Sequence, residues 1–272
     1  MITDMQIPVL TYHSTNISGN DYHTNDHIAL RSDLNTIAQL GVSILSAHDL
    51  VKWIKGELVL DDKKKYTVLT FDDGIMLDYL DWQHPHHGFQ SSFYNLLKAH
   101  EDYSHGTSFV IASPKDRKIL ETTCMGGYSI WSDDWWQAAE DSQLISIENH
   151  SWDHLHETLE TVAQKDNLKG NFKNIMTFDD AQQQIQQSST YINSQLKNKK
   201  TRLFAYPCGD YNSYLVDEYF PKQQDEIIAA FSCEPFHASK QSNIWKIPRY
   251  MCGLHWKNDS EFRKIIQIHS QT

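Results

Sequence analysis

The sequence predicts an α/β fold in which roughly seven parallel strands form a distorted or incomplete (β/α) barrel. Short apolar runs of β-forming residues alternate with segments of helical periodicity along the whole chain. The length of 272 residues suits one such domain, and no linker composition marks a boundary within residues 1–272. A doubly wound open sheet is the alternative. In a barrel of this type, chemistry lies at the C-terminal ends of the strands.

Each predicted element follows from its own pattern of apolar residues. The strands are expected at the short apolar runs 7–12, 66–71, 107–112, 144–148, 202–206, 227–232 and 244–247. The helices are expected where apolar residues recur every three or four positions, at 28–40, 47–55, 89–100, 133–141, 180–197 and 260–268. Residues 79–105 are aromatic and rich in histidine, and they are expected to form an insertion that serves as a lid or as a rim of the cleft.

Composition excludes several classes of protein. Hydrophobic residues make up 40% and charged residues 22% of the chain, as in globular proteins, and no apolar run is long enough for a membrane span. The formal charge of -11, without a basic stripe, argues against nucleic-acid binding. The N-terminus lacks the pattern of a signal peptide, which favours a cytoplasmic location. Four scattered cysteines without a CxxC pair favour reduced thiols over disulfides or a thiolate metal site.

Two adjacent carboxylates, Asp72 and Asp73, follow the second predicted strand and precede Gly74. Like charges this close raise each other's pKa, which is unfavourable unless something offsets the repulsion. A metal ion would do so, because one carboxylate would bind the metal while the other acts as a base. Gly74 would permit the sharp turn that this requires. The alternative is an exposed Asp-Asp-Gly turn.

Two histidines, His150 and His154, follow another predicted strand. If the chain turns helical there, their spacing places both imidazoles on one face, a common way to bind a cation. One aspartate and two histidines leave coordination positions open for water and substrate, as in catalytic zinc sites. The alternative is chance, because the chain contains 15 histidines.

These motifs resemble those of the polysaccharide deacetylase family, also called carbohydrate esterase family 4 or the NodB-homology domain. Residues 70–74 and 150–154 resemble its first two motifs, and 203–211 is similar to its Pro-Tyr-Gly motif. The Trp131-Ser132 pair is also familiar from this family. The pattern is closest to the circularly permuted branch that acts on biofilm polysaccharides. The resemblance extends from about residue 66 to residue 211.

The resemblance implies a role for each matching position. Asp72 corresponds to the catalytic base, and the metal ligands correspond to Asp73, His150 and His154. Cys208 stands at the position, usually Tyr, whose backbone N–H helps to bind the oxyanion, and a backbone donor survives this change of side chain.

Two expected groups have no match at their usual place. Ala205 occupies the position of the arginine that pairs with the base in many members. The Ile-Pro-Arg sequence ending at Arg249 resembles an element of the biofilm branch, so the hypothesis is that Arg249 anchors Asp72. The alternative is a surface arginine. The general acid is assigned to His13, at the Tyr-His opening of that branch, in preference to His255 in a Leu-His pair.

Three further residues, Tyr206, Trp131 and His255, are expected to contact the substrate or the oxyanion. His255 has a surface position as its alternative. In the insertion, Trp82 and its aromatic neighbours would either stack on sugar rings or pack at the surface. The nearby His-Pro-His-His sequence, residues 84–87, favours a flexible loop over a metal site.

The implied function is removal of N-acetyl groups from a sugar or polysaccharide, releasing acetate. One divalent metal ion is expected, with Zn²⁺ favoured and Co²⁺, Ni²⁺ or Fe²⁺ also suited to two histidines and a carboxylate. The alternatives are O-acetyl ester hydrolysis, cleavage of a non-sugar amide, and an inactive carbohydrate-binding protein. The expected partner is an N-acetylated glycan, and the oligomeric state is left open.

Overall fold

The structure is a computed structural model that describes residues 5–100, 104–159, 171–197 and 199–267. Its strands are, in chain order, Val9–His13 (β1), Val42–Leu45 (β2), Lys65–Asp72 (β3), Trp82–His84 (β4), Gly88–Gln90 (β5), Gly106–Val110 (β6), Ile145–Asn149 (β7), Leu203–Ala205 (β8), Ala229–Phe231 (β9) and Tyr250–Met251 (β10). The main sheet has the order β10-β1-β3-β6-β7-β8-β9, with β2 beside β3, and all its pairings are parallel.

The segment 247–251 contacts both ends of this sheet. Ile247 forms a parallel bridge with Phe231 of β9, while β10 pairs with β1 through Tyr250 and Leu10. The sheet therefore curls toward a barrel, which confirms the predicted distorted (β/α) barrel over a doubly wound open sheet. The seven strands of the main path also match the expected number.

The helices cover the sheet and begin at recognisable caps. For example, the Asn25 side chain accepts hydrogen bonds from the backbone of the first helix, and Ser113 caps a helix whose first residue is proline. The α-helices are Asp26–Gln39, Ala47–Ile54, Phe93–Lys98, Pro114–Cys124, Trp136–Asp141, Phe178–Ala181, Gln187–Gln195, Phe220–Lys222 and Asp259–Gln267. The turns Gln182–Gln186 and Tyr214–Tyr219 are π-helical. No helix in the described part of the chain is long and apolar enough to cross a membrane.

Two predicted elements need correction, and other elements were not predicted. The last strand is not at 244–247, where Ile247 makes only a bridge, but at Tyr250–Met251. The helix expected at 89–100 begins at Phe93, because residues before it form the second strand of the β4-β5 hairpin. Strand β2 and the helix Pro114–Cys124 were not predicted.

All four cysteines are free thiols, as predicted.

A buried carboxylate joins the first helix to β1 and to the C-terminal segment. Asp33 accepts hydrogen bonds from the Tyr12 hydroxyl at 2.8 Å and from the Trp256 indole at 3.2 Å, and a third from Tyr22. Burial raises the pKa of Asp33 to about 7, against the opposing effect of these donors. The network holds the chain that follows Arg249 against β1, and so helps to fix the position of that arginine.

Candidate active site

The carboxyl ends of the parallel strands converge on one cleft of about 390 Å³. His13, the last residue of β1, lies in register with Asp72, the last residue of β3. His150 follows β7 directly, and Cys208 comes shortly after β8. The sequence-predicted residues that line the cleft are His13, Asp72, Asp73, Trp131, His150, His154 and Cys208.

Asp73, His150 and His154 form a cluster with the geometry of a metal site. Nε2 of His150 lies 3.7 Å and Nε2 of His154 lies 3.8 Å from Oδ1 of Asp73. All three ligand atoms are within 4.8 Å of one another. Zinc binds histidine nitrogen and carboxylate oxygen at about 2.0 to 2.2 Å, so one ion can bind both atoms of a pair that lies 3.7 or 3.8 Å apart. The donor set therefore fits a single divalent cation.

The two histidines reach this position through an irregular turn rather than a helix, which corrects the helical expectation. Ser151 and His154 have φ of 72° and 63°. The Ser151 N–H donates to Oδ1 of Asn149, and the His154 N–H donates to Oγ of Ser151. These side-chain acceptors replace the hydrogen bonds that a helix would supply.

The protonation state of both imidazoles suits metal binding. Nδ1 of His150 lies 2.9 Å from the Ala205 carbonyl oxygen, which can only accept, so this nitrogen carries the proton and Nε2 presents its lone pair to the cluster. Burial lowers the pKa of His150. Burial and the neighbouring His150 lower the pKa of His154 to about 4. Both rings are therefore neutral at physiological pH, as metal ligands require.

Arg249 forms a buried bidentate ion pair with Asp72. Nη1 and Nη2 lie 2.7 and 2.8 Å from Oδ1 and Oδ2 of the carboxylate, and Nε donates to the Ser232 carbonyl at 3.0 Å. Burial alone would raise the pKa of Asp72, but the Arg249 guanidinium outweighs it, so the pKa lies well below its usual range. Asp72 is therefore ionised, and both its oxygens are oriented by one side chain.

Trp131 contacts the turn that carries Asp73 of the ligand cluster. Its indole Nε1 donates to the Asp73 carbonyl at 3.1 Å. Its own backbone N–H and that of Ile130 donate to the Glu121 carboxylate. Trp131 thus restrains the backbone that presents the Asp73 carboxylate, besides lining the cleft.

Two residues predicted to contact substrate lie elsewhere. Tyr206 is fully buried, and its hydroxyl donates to the Trp245 carbonyl, so it belongs to the core beneath the cleft. His255 does not belong to the described residues that line the cleft. Its Nδ1 accepts the Met251 N–H at 2.8 Å, which ties the ring into a turn after β10.

Several cleft residues were missed from sequence. Leu120 and Cys124 line the cleft from the helix Pro114–Cys124, which sequence reasoning did not predict. The signal was present, because Ser113 followed by proline is a typical helix start. His156, Ile111 and Met251 also line the cleft.

Gly74 is required by the turn that carries the two carboxylates, because it has a φ of 69° and a Cβ placed on it would lie 2.6 Å from Cβ of Val110. We expect Gly74→Ala to lower the free energy of unfolding by about 3 kcal/mol, from steric overlap and a left-handed backbone together. Urea denaturation measures this. Gly56→Ala is the matched control, because Gly56 has a φ of 78° in open space and should lose only about 1 kcal/mol. Equal losses in the two variants would exclude the steric contribution.

Comparison with known proteins identifies the family of this chain. The polysaccharide deacetylase family model matches residues 60–220, and the chain belongs to this family. The recognition made from the sequence motifs is thereby confirmed. No curated protein sequence matches the chain.

Solved structures with the same fold include several deacetylases. The Streptococcus pyogenes deacetylase PplD, in complex with acetate, has 17% identity and a TM-score of 0.66, covering 98% of this chain and 100% of its own. A de-N-acetylase from Aggregatibacter actinomycetemcomitans has 19% identity and a TM-score of 0.65, with 96% and 99% covered. IcaB from Ammonifex degensii has 16% identity and a TM-score of 0.65, with 96% of each chain covered. At these identities the likeness establishes the fold.

Proposed function

We propose that this polysaccharide deacetylase hydrolyses N-acetyl groups on a glycan with the help of one divalent metal ion. The observation that carries the proposal is the placement of an ionised, arginine-paired carboxylate beside an intact ligand cluster. Asp72 and Nε2 of His150 are 3.9 Å apart, in the same cleft as Asp73 and His154. A protein that only binds carbohydrate would have no need for this combination.

The ligands Asp73, His150 and His154 would hold the metal, and Zn²⁺ suits them best. Two histidines and one carboxylate are a common catalytic zinc set, although Co²⁺, Ni²⁺ and Fe²⁺ accept the same donors. A divalent metal bound here would polarise the acetyl carbonyl and lower the pKa of a bound water from about 15.7 to about 7.

Three groups of the protein act on the substrate: a base, a hydrogen-bond donor and an acid. Asp72, kept ionised by Arg249, accepts a proton from the water that attacks the acetyl carbon. The backbone N–H of Cys208 donates to the carbonyl oxygen as negative charge develops on it. His13, which ends β1 in register with Asp72, protonates the sugar nitrogen as the C–N bond breaks. The products are acetate and a free amino sugar.

The presence of His13 favours an N-acetyl substrate over an O-acetyl one. An amine is a poor leaving group until it is protonated, so amide hydrolysis depends strongly on a general acid. An alkoxide needs this help less. Among the described residues of the cleft, His13 and His156 are the imidazoles outside the ligand cluster, and His13 is the one that lies in register with the base.

Acetate release should therefore require a bound metal ion, and it should be faster from N-acetylated than from O-acetylated glycans. Treatment with a chelator is expected to abolish acetate release from N-acetylated glycans, and one equivalent of Zn²⁺ should restore it. Zinc should also raise the melting temperature of the chelated protein, because it binds the folded state. The corresponding His154→Ala variant should show no such increase. Faster release from O-acetylated than from N-acetylated glycans, or full activity without metal, would contradict the proposal.

A further inference from the structure

A cysteine and a histidine outside the ligand cluster lie against each other in the wall of the catalytic cleft. Sγ of Cys124 is 3.9 Å from Nε2 of His156, and both residues line the cleft. Cys124 is a free, exposed thiol at the end of the helix Pro114–Cys124, and His156 is half-buried. The two residues are 32 positions apart in the sequence, so the fold and not a local motif makes the pair.

The separation of these two atoms suits one zinc-like ion. Zinc binds cysteine sulfur at about 2.3 Å and histidine nitrogen at about 2.0 to 2.1 Å. With Sγ and Nε2 3.9 Å apart, an ion at these distances makes an S–metal–N angle of about 125 to 130°. Water in the open cleft can fill the remaining coordination positions. Thiolate and imidazole together favour zinc and softer divalent ions over Mg²⁺ and Ca²⁺.

The His156 ring is oriented by its own loop. The neighbouring Leu155 and Leu159 are buried, and the Leu159 N–H donates to the His156 carbonyl at 3.0 Å. Nδ1 of the ring lies 3.0 Å from Oγ1 of Thr158, which accepts the ring proton when Nε2 binds a cation. In the free protein, Nδ1 can instead accept the Thr158 N–H at 3.3 Å. Binding of a cation therefore exchanges one hydrogen bond of the ring for another.

The pair lies next to the proposed metal ligands. The ring centroids of His154 and His156 are 6.1 Å apart, within a cleft of about 390 Å³. A cation held by Cys124 and His156 would therefore occupy space that the acetyl group and its sugar need. Two protein ligands should hold it more weakly than the three of the ligand cluster hold theirs, so it should bind after the first ion.

We propose that Cys124 and His156 form a second cation site, selective for zinc and softer divalent ions, and that its occupation inhibits acetate release. On binding, the thiol releases its proton to water and the sulfur bonds to the metal, so each ion displaces one proton. Binding at this site is independent of the proposed function, whereas the inhibitory role rests on it. Zinc then has two opposite effects, because the first equivalent activates the enzyme and an excess inhibits it.

Cadmium binding tests the site directly, because the ligand cluster contains no sulfur. The protein is loaded with one equivalent of Zn²⁺ and titrated with Cd²⁺, and the ultraviolet absorption of the cadmium–thiolate bond is measured. We expect Cys124→Ser to abolish this absorption and His156→Ala to raise the Kd for Cd²⁺ at least about tenfold. Cys208→Ser is the matched control, because Cys208 is also an exposed thiol lining the cleft. It should bind Cd²⁺ like the unmodified protein.

Acetate release tests the inhibitory role. Zinc beyond one equivalent should inhibit the unmodified protein, and the concentration that gives half inhibition should rise at least about tenfold in Cys124→Ser and in His156→Ala. Each variant is compared with its own rate at one equivalent of zinc, so that a change in basal activity does not affect the result.

The outcomes separate the site from its role and from the proposed function. Absorption that persists in Cys124→Ser, or that is lost equally in Cys208→Ser, would overturn the site. An unchanged Kd in His156→Ala would also overturn it. Cadmium binding as expected, with inhibition by zinc equal in all variants, would overturn the inhibitory role. If the unmodified protein releases no acetate at any zinc concentration, the proposed function fails, and the cadmium absorption still decides whether the site exists.

Discussion

Replacing Asp72 by asparagine is expected to reduce kcat for acetate release by about a thousandfold without loss of the proposed metal binding. The substitution keeps the shape of the side chain but removes the charge that accepts a proton from water, and general-base catalysis contributes roughly this much. Asp73 supplies the carboxylate of the ligand cluster, so the three proposed ligands are unchanged in this variant. Acetate release and metal content by elemental analysis are the two measurements.

Asp73→Asn provides the comparison that separates base from ligand. This neighbouring substitution should lower metal content as well as activity, because Oδ1 of Asp73 faces both histidines of the cluster. Two carboxylates adjacent in sequence would thus give opposite results for bound metal. Near-normal turnover in Asp72→Asn would remove Asp72 from the role of base. Metal loss in Asp72→Asn equal to that in Asp73→Asn would contradict the assignment of Asp72 as base and Asp73 as metal ligand.

The barrel could be predicted because its strands are buried on both faces. β3 is apolar or small along almost its whole length and is buried from Tyr66 to Asp72. The chemistry at its end follows from where parallel strands point. The strand Tyr250–Met251 was missed because a strand of two residues is too short to show periodicity. Its position depends on pairing with β1, which lies near the other end of the chain.

The identity of the site residues could be predicted where a local sequence motif contains them. The backbone conformation of the turn that holds the histidines could not. Asp73, His150 and His154 come together as the sequence predicted, but the histidine spacing arises from positive φ at Ser151 and His154 and not from a helix. Tyr206 was predicted to contact the substrate or the oxyanion and lies in the same segment, 203–211, as Cys208. Strand alternation instead directs its ring into the core.

The position of Arg249 is the most informative long-range outcome, because it lies 177 residues from its partner. No periodicity connects it to Asp72, and only the resemblance to one branch of the family raised the hypothesis. The structure makes the contact possible by carrying the segment 247–251 from β9 across to β1. The guanidinium then reaches the end of β3, where Ala205 has no side chain able to do the same.

Replacing Arg249 by methionine is expected to lower the free energy of unfolding by about 3 to 5 kcal/mol, because it leaves the Asp72 carboxylate buried without a partner. The side chain of Arg249 is fully buried and that of Asp72 is 3% exposed, so water cannot replace the guanidinium. Urea denaturation gives the value directly. The double variant Asp72→Asn with Arg249→Met should recover part of this loss, because the unpaired charge is then absent.

Arg263→Met is the matched control for the loss of an arginine ion pair. Arg263 and Asp259 are 2.6 Å apart on the last helix, with side chains 33% and 42% exposed, so solvent screens their interaction. Its loss should cost less than about 1 kcal/mol. If Arg249→Met is as mild as Arg263→Met, water or another cation compensates Asp72. In that case, the ion pair does not hold the proposed base in its ionised state, and the explanation for the low pKa of Asp72 fails.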